Sequence, residues 1–479
     1  MQPSRAKTFF FLGGPISGLL VALSAPPAEQ RVLPWFALLP LFLSLDRHRE
    51  RAGLRAAHGA ALGAIVAAFG LGFDGFRPAR FLESPILWAG IFALVSGPLL
   101  RTRLRGAGTL GLPSLWAGLG VLRELLADRL FPGSADLLGL GLAAVPGTPE
   151  ASVARAVGAH GLSWLAALSA ALFLAVFRET RPSRQLALVL AAAAVPLAAF
   201  AAGGAGGSGE GGEDRRVLVA VAAAETGDPE SLLSMSRRVD VEGADLLVWP
   251  RLPIAGLATG GGDLVSAPEG LGRFLAEAGC SLVAAEAEER GGREEARIVV
   301  VGASGRVLFS ARGGSRGRGA AGLGSFPGLV PVRDGIAAVA DESALYAPAG
   351  ARELVQGGAE IIAISSGARA NRLEEARLGR LQSLRALETG RWIVRSGPAS
   401  ALAVDSSGRA ALAVDGGVEG AGILEASLAA GLTTYARFGW LLEPALGAFA
   451  VVAIAAALIG TRRARRPAGN APPNGTAGP

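Results

Sequence analysis

The sequence predicts a membrane α-helical bundle of about eight spans joined to an extracytoplasmic α/β domain. Two observations carry the membrane half. Hydrophobic residues make up 51% of the 479-residue chain and charged residues only 18%, and the mean hydropathy is +0.41, too apolar for an ordinary soluble protein. Long apolar runs also recur throughout residues 1–203. The third observation is the change of rhythm after residue 214, where short apolar stretches alternate with longer polar ones as in a strand-helix fold.

The runs of the first domain, residues 1–203, are Phe9 to Ala25, Val32 to Leu45, Ala56 to Phe73, Pro85 to Leu100, Gly108 to Ala127, Gly161 to Phe177 and Leu186 to Phe200. The first follows Arg5 and Lys7 and ends on a cleavage-like LSA, but because similar runs keep coming it is read as an uncleaved span. Arginines set the orientation. Arg47, Arg49, Arg51 and Arg55 follow the second run, Arg101, Arg103 and Arg105 the fourth, and Arg178, Arg181 and Arg184 the sixth. Positive charge on alternate loops puts the N-terminus in the cytoplasm and the middle domain outside. A final span, 438–460 with its apolar stretch at Trp440 to Ile459, returns the chain to a basic, disordered tail at 461–479. The net charge of +6 is thereby accounted for by topology, and nucleic acid is excluded as a partner. Three histidines, His48, His58 and His160, lie far apart in the sequence and offer no metal site. The single cysteine, Cys280, excludes an internal disulfide, and no cofactor is expected.

Residues 204–214 form a Gly-rich linker too poor in bulky side chains to pack. In the domain at 215–437, strands are predicted at Val217 to Ala222, Asp245 to Trp249, Ser281 to Ala285, Arg297 to Val301, Gly305 to Phe309, Ile336 to Ala340, Ile361 to Ser365, Trp392 to Arg395 and Ala399 to Val404. Helices are predicted at Pro229 to Val241, Leu271 to Ala278 and Arg372 to Thr389. The stretch Ala244 to Ile254, ADLLVWPRLPI, matters most. Its apolar run ends on Trp249-Pro250, and because proline has no N–H for a ladder, the strand stops there and delivers Arg251 to its C-terminal mouth.

This stretch resembles the DLVVWPE segment of apolipoprotein N-acyltransferases, the membrane branch of the nitrilase (carbon-nitrogen hydrolase) superfamily. Leu384 to Arg391, LRALETGR, with Arg395 and Ala399 to Gly408, is similar to that family's RALExGR run. Trp116 to Arg123, Val153 to Leu172 and Gly431 to Gly439 (GLTTYARFG) resemble its membrane segments. The resemblance implies an αββα nitrilase-like sandwich for the outer domain and a bacterial cytoplasmic (inner) membrane location. It also implies transfer of an acyl chain from phospholipid to the N-terminal cysteine of a lipoprotein, with phospholipid, lipoprotein and the membrane as partners.

That chemistry needs a thiolate nucleophile, a carboxylate base and a lysine for the oxyanion. The family's positions for base, lysine and cysteine fall here on Arg251, Arg312 and Ala340, so no catalytic residue is expected and Arg251, Asp341 and Glu342 remain as a vestigial pocket. A methyl group cannot attack, and Lys7 is the only lysine in the chain. The expected reading is a non-catalytic relative that still binds phospholipid or lipoprotein, in which Arg251 pairs with Glu342 or Asp341. Its rival is an active acyltransferase using an unrecognised nucleophile, with Cys280, Ser343, Ser365 and Ser366 as candidates. A soluble-type amidase would leave the spans unexplained.

Overall fold

The computed structural model describes residues 12–24, 30, 32–71, 85–101, 105–130, 153–205, 215–224, 229–239, 243–251, 269–290, 293–312, 328–346, 348–367, 372–415 and 420–464. The N-terminal half is helical: α1 (Gly13–Ser24), α2 (Leu39–Arg47), α3 (Ala52–Leu71), α4 (Pro85–Arg101), α5 (Arg105–Leu130), α6 (Ala154–Arg178) and α7 (Pro182–Ala205). Together with the C-terminal α13 (Thr434–Ala464) they share an apolar core that includes Leu41, Phe42, Phe92, Trp116, Ala167 and Ala450.

Among the described residues, three helices are long and apolar enough to cross a membrane, at Ala154–Arg178, Pro182–Ala199 and Thr434–Ala456, while Gly13–Ser24, Ala52–Ala68 and Ile86–Leu100 are shorter apolar helices. The expected run at Val32 to Leu45 does not form one span. Pro34 lies in a 3-10 turn at Leu33–Trp35, Pro40 in the first turn of the nine-residue α2, and each proline removes an N–H that a continuous helix would need. Alpha2 is only about 14 Å long, against a hydrocarbon core of about 30 Å.

Two further expectations are corrected in this half. Arg55 is not a loop residue: it is 4% exposed inside α3. Its Nε donates to the Ala93 carbonyl at 3.1 Å and its Nη2 to the Leu94 carbonyl at 3.3 Å. The Leu94 carbonyl is the one that Pro98, four residues on within α4, leaves without its helical donor. His48 and His58, ten positions apart in sequence, stack with ring centroids 5.5 Å apart. No group of three or more metal-ligating side chains occurs among the described residues.

The strands between Arg216 and Ser427 form a sandwich of two six-stranded sheets, ordered β12-β1-β2-β3-β4-β5 and β11-β10-β9-β8-β7-β6. The first sheet uses β1 (Arg216–Ala223), β2 (Leu246–Val248), β3 (Ser281–Arg290), β4 (Arg293–Val301), β5 (Val307–Arg312) and β12 (Gly420–Ser427). The second uses β6 (Leu329–Val332), β7 (Gly335–Ala340), β8 (Ile361–Ser365), β9 (Trp392–Ser396), β10 (Ser400–Val404) and β11 (Ala410–Asp415). Strands β1, β2 and β3 run parallel, as do β7, β8 and β9, and such strands are buried on both faces and read as near-continuous apolar runs. Their inner faces meet in a core that includes Val219, Val248, Val283, Val339, Ile361 and Val394. On the outer face of the first sheet lie α8 (Pro229–Arg238) and α9 (Glu269–Ala278). On that of the second lie the short α10 (Ser343–Tyr346), α11 (Pro348–Gln356) and α12 (Arg372–Thr389). The αββα layering expected from the resemblance is therefore observed.

All nine predicted strands form, with ends shifted by a few residues, and α12 has the predicted bounds. Strands β6, β11 and β12 were not predicted. Beta11 (AALAVD) and β12 (GAGILEAS) are half alanine and glycine, residues with weak strand preference, and β12 is fixed by eight antiparallel pairings to β1. The closing helix begins at Thr434, earlier than the expected boundary at 438, because Thr433 caps it: its Oγ1 accepts the Ala436 N–H at 2.9 Å. Helix α7 likewise continues to Ala205, past the expected boundary at 203. Residues 206–214 of the linker and 465–479 of the tail lie outside the described residues.

Candidate functional site

The C-terminal ends of the parallel strands meet at one mouth of the sandwich, and side chains stitch the two sheets together there. Ser365, at the end of β8, donates its Oγ to the Trp249 carbonyl at 2.8 Å and accepts the Ala285 N–H at 2.8 Å. The Arg251 N–H donates to the Ser366 carbonyl at 3.0 Å, the Ser366 N–H to the Ser396 carbonyl at 2.7 Å, and Ser396 Oγ to the Ala222 carbonyl. Trp249 is fully buried and its indole N–H donates to Ser236 Oγ at 3.1 Å. This is the strand end that the Trp-Pro pair predicts, with Arg251 at the mouth.

Two of the predicted site residues converge on one glycine. The half-buried Arg251 side chain lies flat against Gly367: a Cβ at Gly367 would stand 2.2 Å from Arg251 Cδ and 2.8 Å from its Nη1. The Gly367 N–H donates to Glu342 Oε2 at 3.1 Å. Burial pushes the Glu342 carboxyl above the usual glutamate range and the neighbouring Asp341 charge pushes it further, while the Gly367 N–H and the Arg251 guanidinium pull the other way. Burial and like charge outweigh the arginine. Asp341 turns instead to the elbow that follows β7: its Oδ1 accepts the Ser343 N–H at 3.1 Å and also the Ser343 hydroxyl, capping α10.

Ala340 ends β7 and is 2% exposed. Its methyl packs with Ala338, Ile362, Ile364 and Leu345 in the apolar layer beneath α11 and α12. Arg312 ends β5, on the edge of the first sheet and three strands from β2, about 14 Å at the usual strand spacing. Its register through Arg297 to Glu286 puts its backbone at the mouth end; its side chain lies outside the described residues, as do Phe326, Pro327, Ala368 and Arg369.

The other candidate nucleophiles have structural positions. Cys280 is fully buried in the core under α8 and α9, and burial pushes its thiol pKa up to about 11, away from thiolate. Ser365 already both donates and accepts across the sheet junction. Ser343 is held by Asp341, and no histidine or lysine lies in residues 215–437 to activate it.

Sequence reasoning gave no site role to Arg395, a fully buried cation on β9 beside the mouth. It is 1% exposed and donates from Nη2 to Glu375 Oε2 at 2.8 Å and to Ser400 Oγ at 3.0 Å, and from Nε to Gln382 Oε1 at 3.2 Å. Only its place in the run after LRALETGR marked it.

The raised carboxyl of Glu342 gives a pH test. A carboxyl whose folded pKa is raised contributes stability that is fully present below the unfolded pKa, near 4.3, and is lost as pH rises through the folded value. Glu342→Gln keeps an oxygen for the Gly367 N–H and removes the charge. The variant is expected to melt higher than wild type at neutral pH, with the difference vanishing below about pH 4. A thermal melt series over pH checks this; a Glu342→Gln protein that melts lower at neutral pH contradicts it.

Residues 17–172 match the apolipoprotein N-acyltransferase N-terminal domain family. Solved structures similar to the chain include an amidase from Nesterenkonia sp. (16% identity over 47% of this chain and 94% of that one, TM-score 0.35). A variant of the Nesterenkonia AN1 amidase, described as belonging to the nitrilase superfamily, is also similar (18% identity, 48% and 96% coverage, TM-score 0.34). A search of the curated proteins finds no match. Over residues 17–172 the chain is thus similar to the apolipoprotein N-acyltransferase N-terminal domain family, in line with the resemblance carried by Trp116 to Arg123 and Val153 to Leu172.

Proposed function

We propose that the protein is an apolipoprotein N-acyltransferase-like protein of the bacterial inner membrane that binds phospholipid and lipoprotein without transferring the acyl chain. The observation that carries this reading is the β7 end. Where the acyl-transfer chemistry needs a thiolate, the strand closes on the methyl of Ala340, packed into an apolar layer. Beside it Arg251 occupies the base position and lies on Gly367 opposite Glu342. An arginine stays protonated and takes up no proton at neutral pH, and Arg251, Asp341 and Glu342 form a charge cluster in place of a reactive triad. Complementation tests the reading: expressed in a bacterium depleted of its own N-acyltransferase, the protein is expected to give no growth rescue. Rescue would establish an active transferase with another nucleophile.

The membrane placement is supported by the three long apolar helices and by apolar side chains left exposed on them. Leu186, Leu190 and Leu197 on α7 and Trp440, Leu441 and Val452 on α13 are each more than half exposed, as suits helix faces turned to lipid. Because the Val32 to Leu45 run is not one span, the orientation rests on the basic tail: Arg462, Arg463, Arg465 and Arg466 after the last helix favour the cytoplasmic side, which leaves residues 215–437 outside. A phosphatase reporter inserted near Gly262 is therefore expected to be active, whereas activity there of a reporter that works only in the cytoplasm would reverse the orientation.

A further inference from the structure

Helix α6 is broken where it meets the outer domain. Gly158 has φ 67° and ψ −177° inside it, backbone that favours glycine, and the Tyr435 ring packs against the face where a Cβ would stand, 2.3 Å from its Cε2. Such a break starts a new helical segment and orphans N–H groups that an intact helix would pair. One of them, the Ala159 N–H, donates to Glu388 Oε1 at 2.6 Å. Glu388 belongs to the outer domain: it is fully buried near the C-terminal end of α12 and is paired with Arg385. The Arg385 guanidinium has a second engagement. Its Nε donates at 2.9 Å to the carbonyl of Leu345, in the elbow helix α10 that Asp341 caps through Ser343. A continuous series of hydrogen bonds therefore runs from the strand mouth, through Leu345, Arg385 and Glu388, to the break in α6.

We propose that this series couples the two halves of the protein, so that the conformation of the Asp341–Ser343 elbow at the strand mouth sets how firmly the α6 break is held, with Arg385 as the connecting positioning residue. The break supplies the two-state element that coupling needs. With Glu388 engaged, Ala159 is paired and the second segment of α6 starts there; with Glu388 withdrawn, Ala159 is left with an orphaned N–H and the segment frays. Occupancy of the mouth is thereby reported to a helix in the membrane half. The coupling holds whether or not the mouth carries out chemistry.

Amide hydrogen exchange of the full-length protein in lipid nanodiscs tests this. Asp341→Ala, which uncaps the elbow, is expected to speed exchange at Ala159 roughly tenfold or more, the effect of weakening one charged hydrogen bond. Asp245→Ala, which removes the carboxylate that accepts the Leu218 N–H at 2.9 Å in the first sheet, is expected to leave Ala159 unchanged relative to the domain's overall stability. In an Arg385→Met background, where Ala159 already exchanges fast, Asp341→Ala is expected to add nothing. Arg385→Lys serves if the methionine variant does not fold, and is expected to give the same loss of coupling because an ammonium does not make both contacts of the guanidinium fork. The proposal is overturned if Ala159 exchange ignores Asp341→Ala in a folded protein, or if Asp341→Ala acts equally with and without Arg385.

Discussion

Incubated with a labelled phospholipid, the purified protein is expected to carry no acyl adduct on its outer domain, by intact mass or by peptide mapping. An acyl-enzyme needs a nucleophile that is poised and exposed to the donor. Ala340 offers only a methyl group, Cys280 is fully buried with its thiol pushed up to about 11, and Ser365 is committed to the sheet junction. The effect is all or none, which makes it the sharpest test. The double variant Arg251→Glu, Ala340→Cys is expected to stay inactive in transfer, because Lys7 is the only lysine in the chain and the oxyanion would still lack an ammonium. Mapping an adduct to any outer-domain residue of the wild type would overturn the non-catalytic reading, and adduct plus turnover in the double variant would show that the lysine is dispensable.

Arg391→Met is expected to destabilise the nitrilase-like sandwich by about 2–3 kcal/mol. Arg391 is 2% exposed and works as a carbonyl clamp between α12, the second sheet and the segment leading to α13. Its Nε donates to the Ala359 carbonyl at 2.8 Å, its Nη1 to the Gly431 carbonyl at 2.8 Å and its Nη2 to the Ala430 carbonyl at 3.2 Å. Burial lowers its pKa to about 10, with the Glu360 charge opposing, so it remains cationic at neutral pH. Methionine fills much of the same volume but leaves the buried Ala359 carbonyl without its donor, at a cost of about 1–3 kcal/mol, and also loses the charged hydrogen bonds to the carbonyls of the exposed Ala430 and Gly431. Denaturant or thermal unfolding of the outer domain checks this, and a loss below about 1 kcal/mol would show that water reaches those carbonyls.

The carboxylate and the arginine of LRALETGR look like a one-turn pair in the sequence, yet they serve different partners. Glu388 pairs with Arg385 and reaches across to Ala159, whereas Arg391 serves backbone carbonyls. Helical spacing shows which side chains share a face, but it carries no information about a second helix more than two hundred positions away.

The αββα layering was implied by the family resemblance, while the residues taken alone determined a mixed α/β domain, the position of nine strands, the end of β2 at Trp249-Pro250 and the identity of the residues at the mouth. These follow from periodicity, from proline's missing N–H and from side-chain identity, all of them local properties. The residues also determined that Ala340 lacks a sulfur, which no folding can change. Only the tertiary structure decided the rest. Strands β11 and β12 exist because partners hold weak strand formers in register. The Val32 to Leu45 run is a turn and a short helix around Pro34 and Pro40, whereas α4, α5, α7 and α13 continue through Pro98, Pro113, Pro196 and Pro444, so proline alone did not mark it. Arg55 is buried in α3 because carbonyls in α4, one of them stranded by Pro98, need a donor. Glu342 is held above the usual glutamate range because Asp341 and burial together outweigh Arg251, a balance set by distances that appear only when β2, β7 and β8 end side by side.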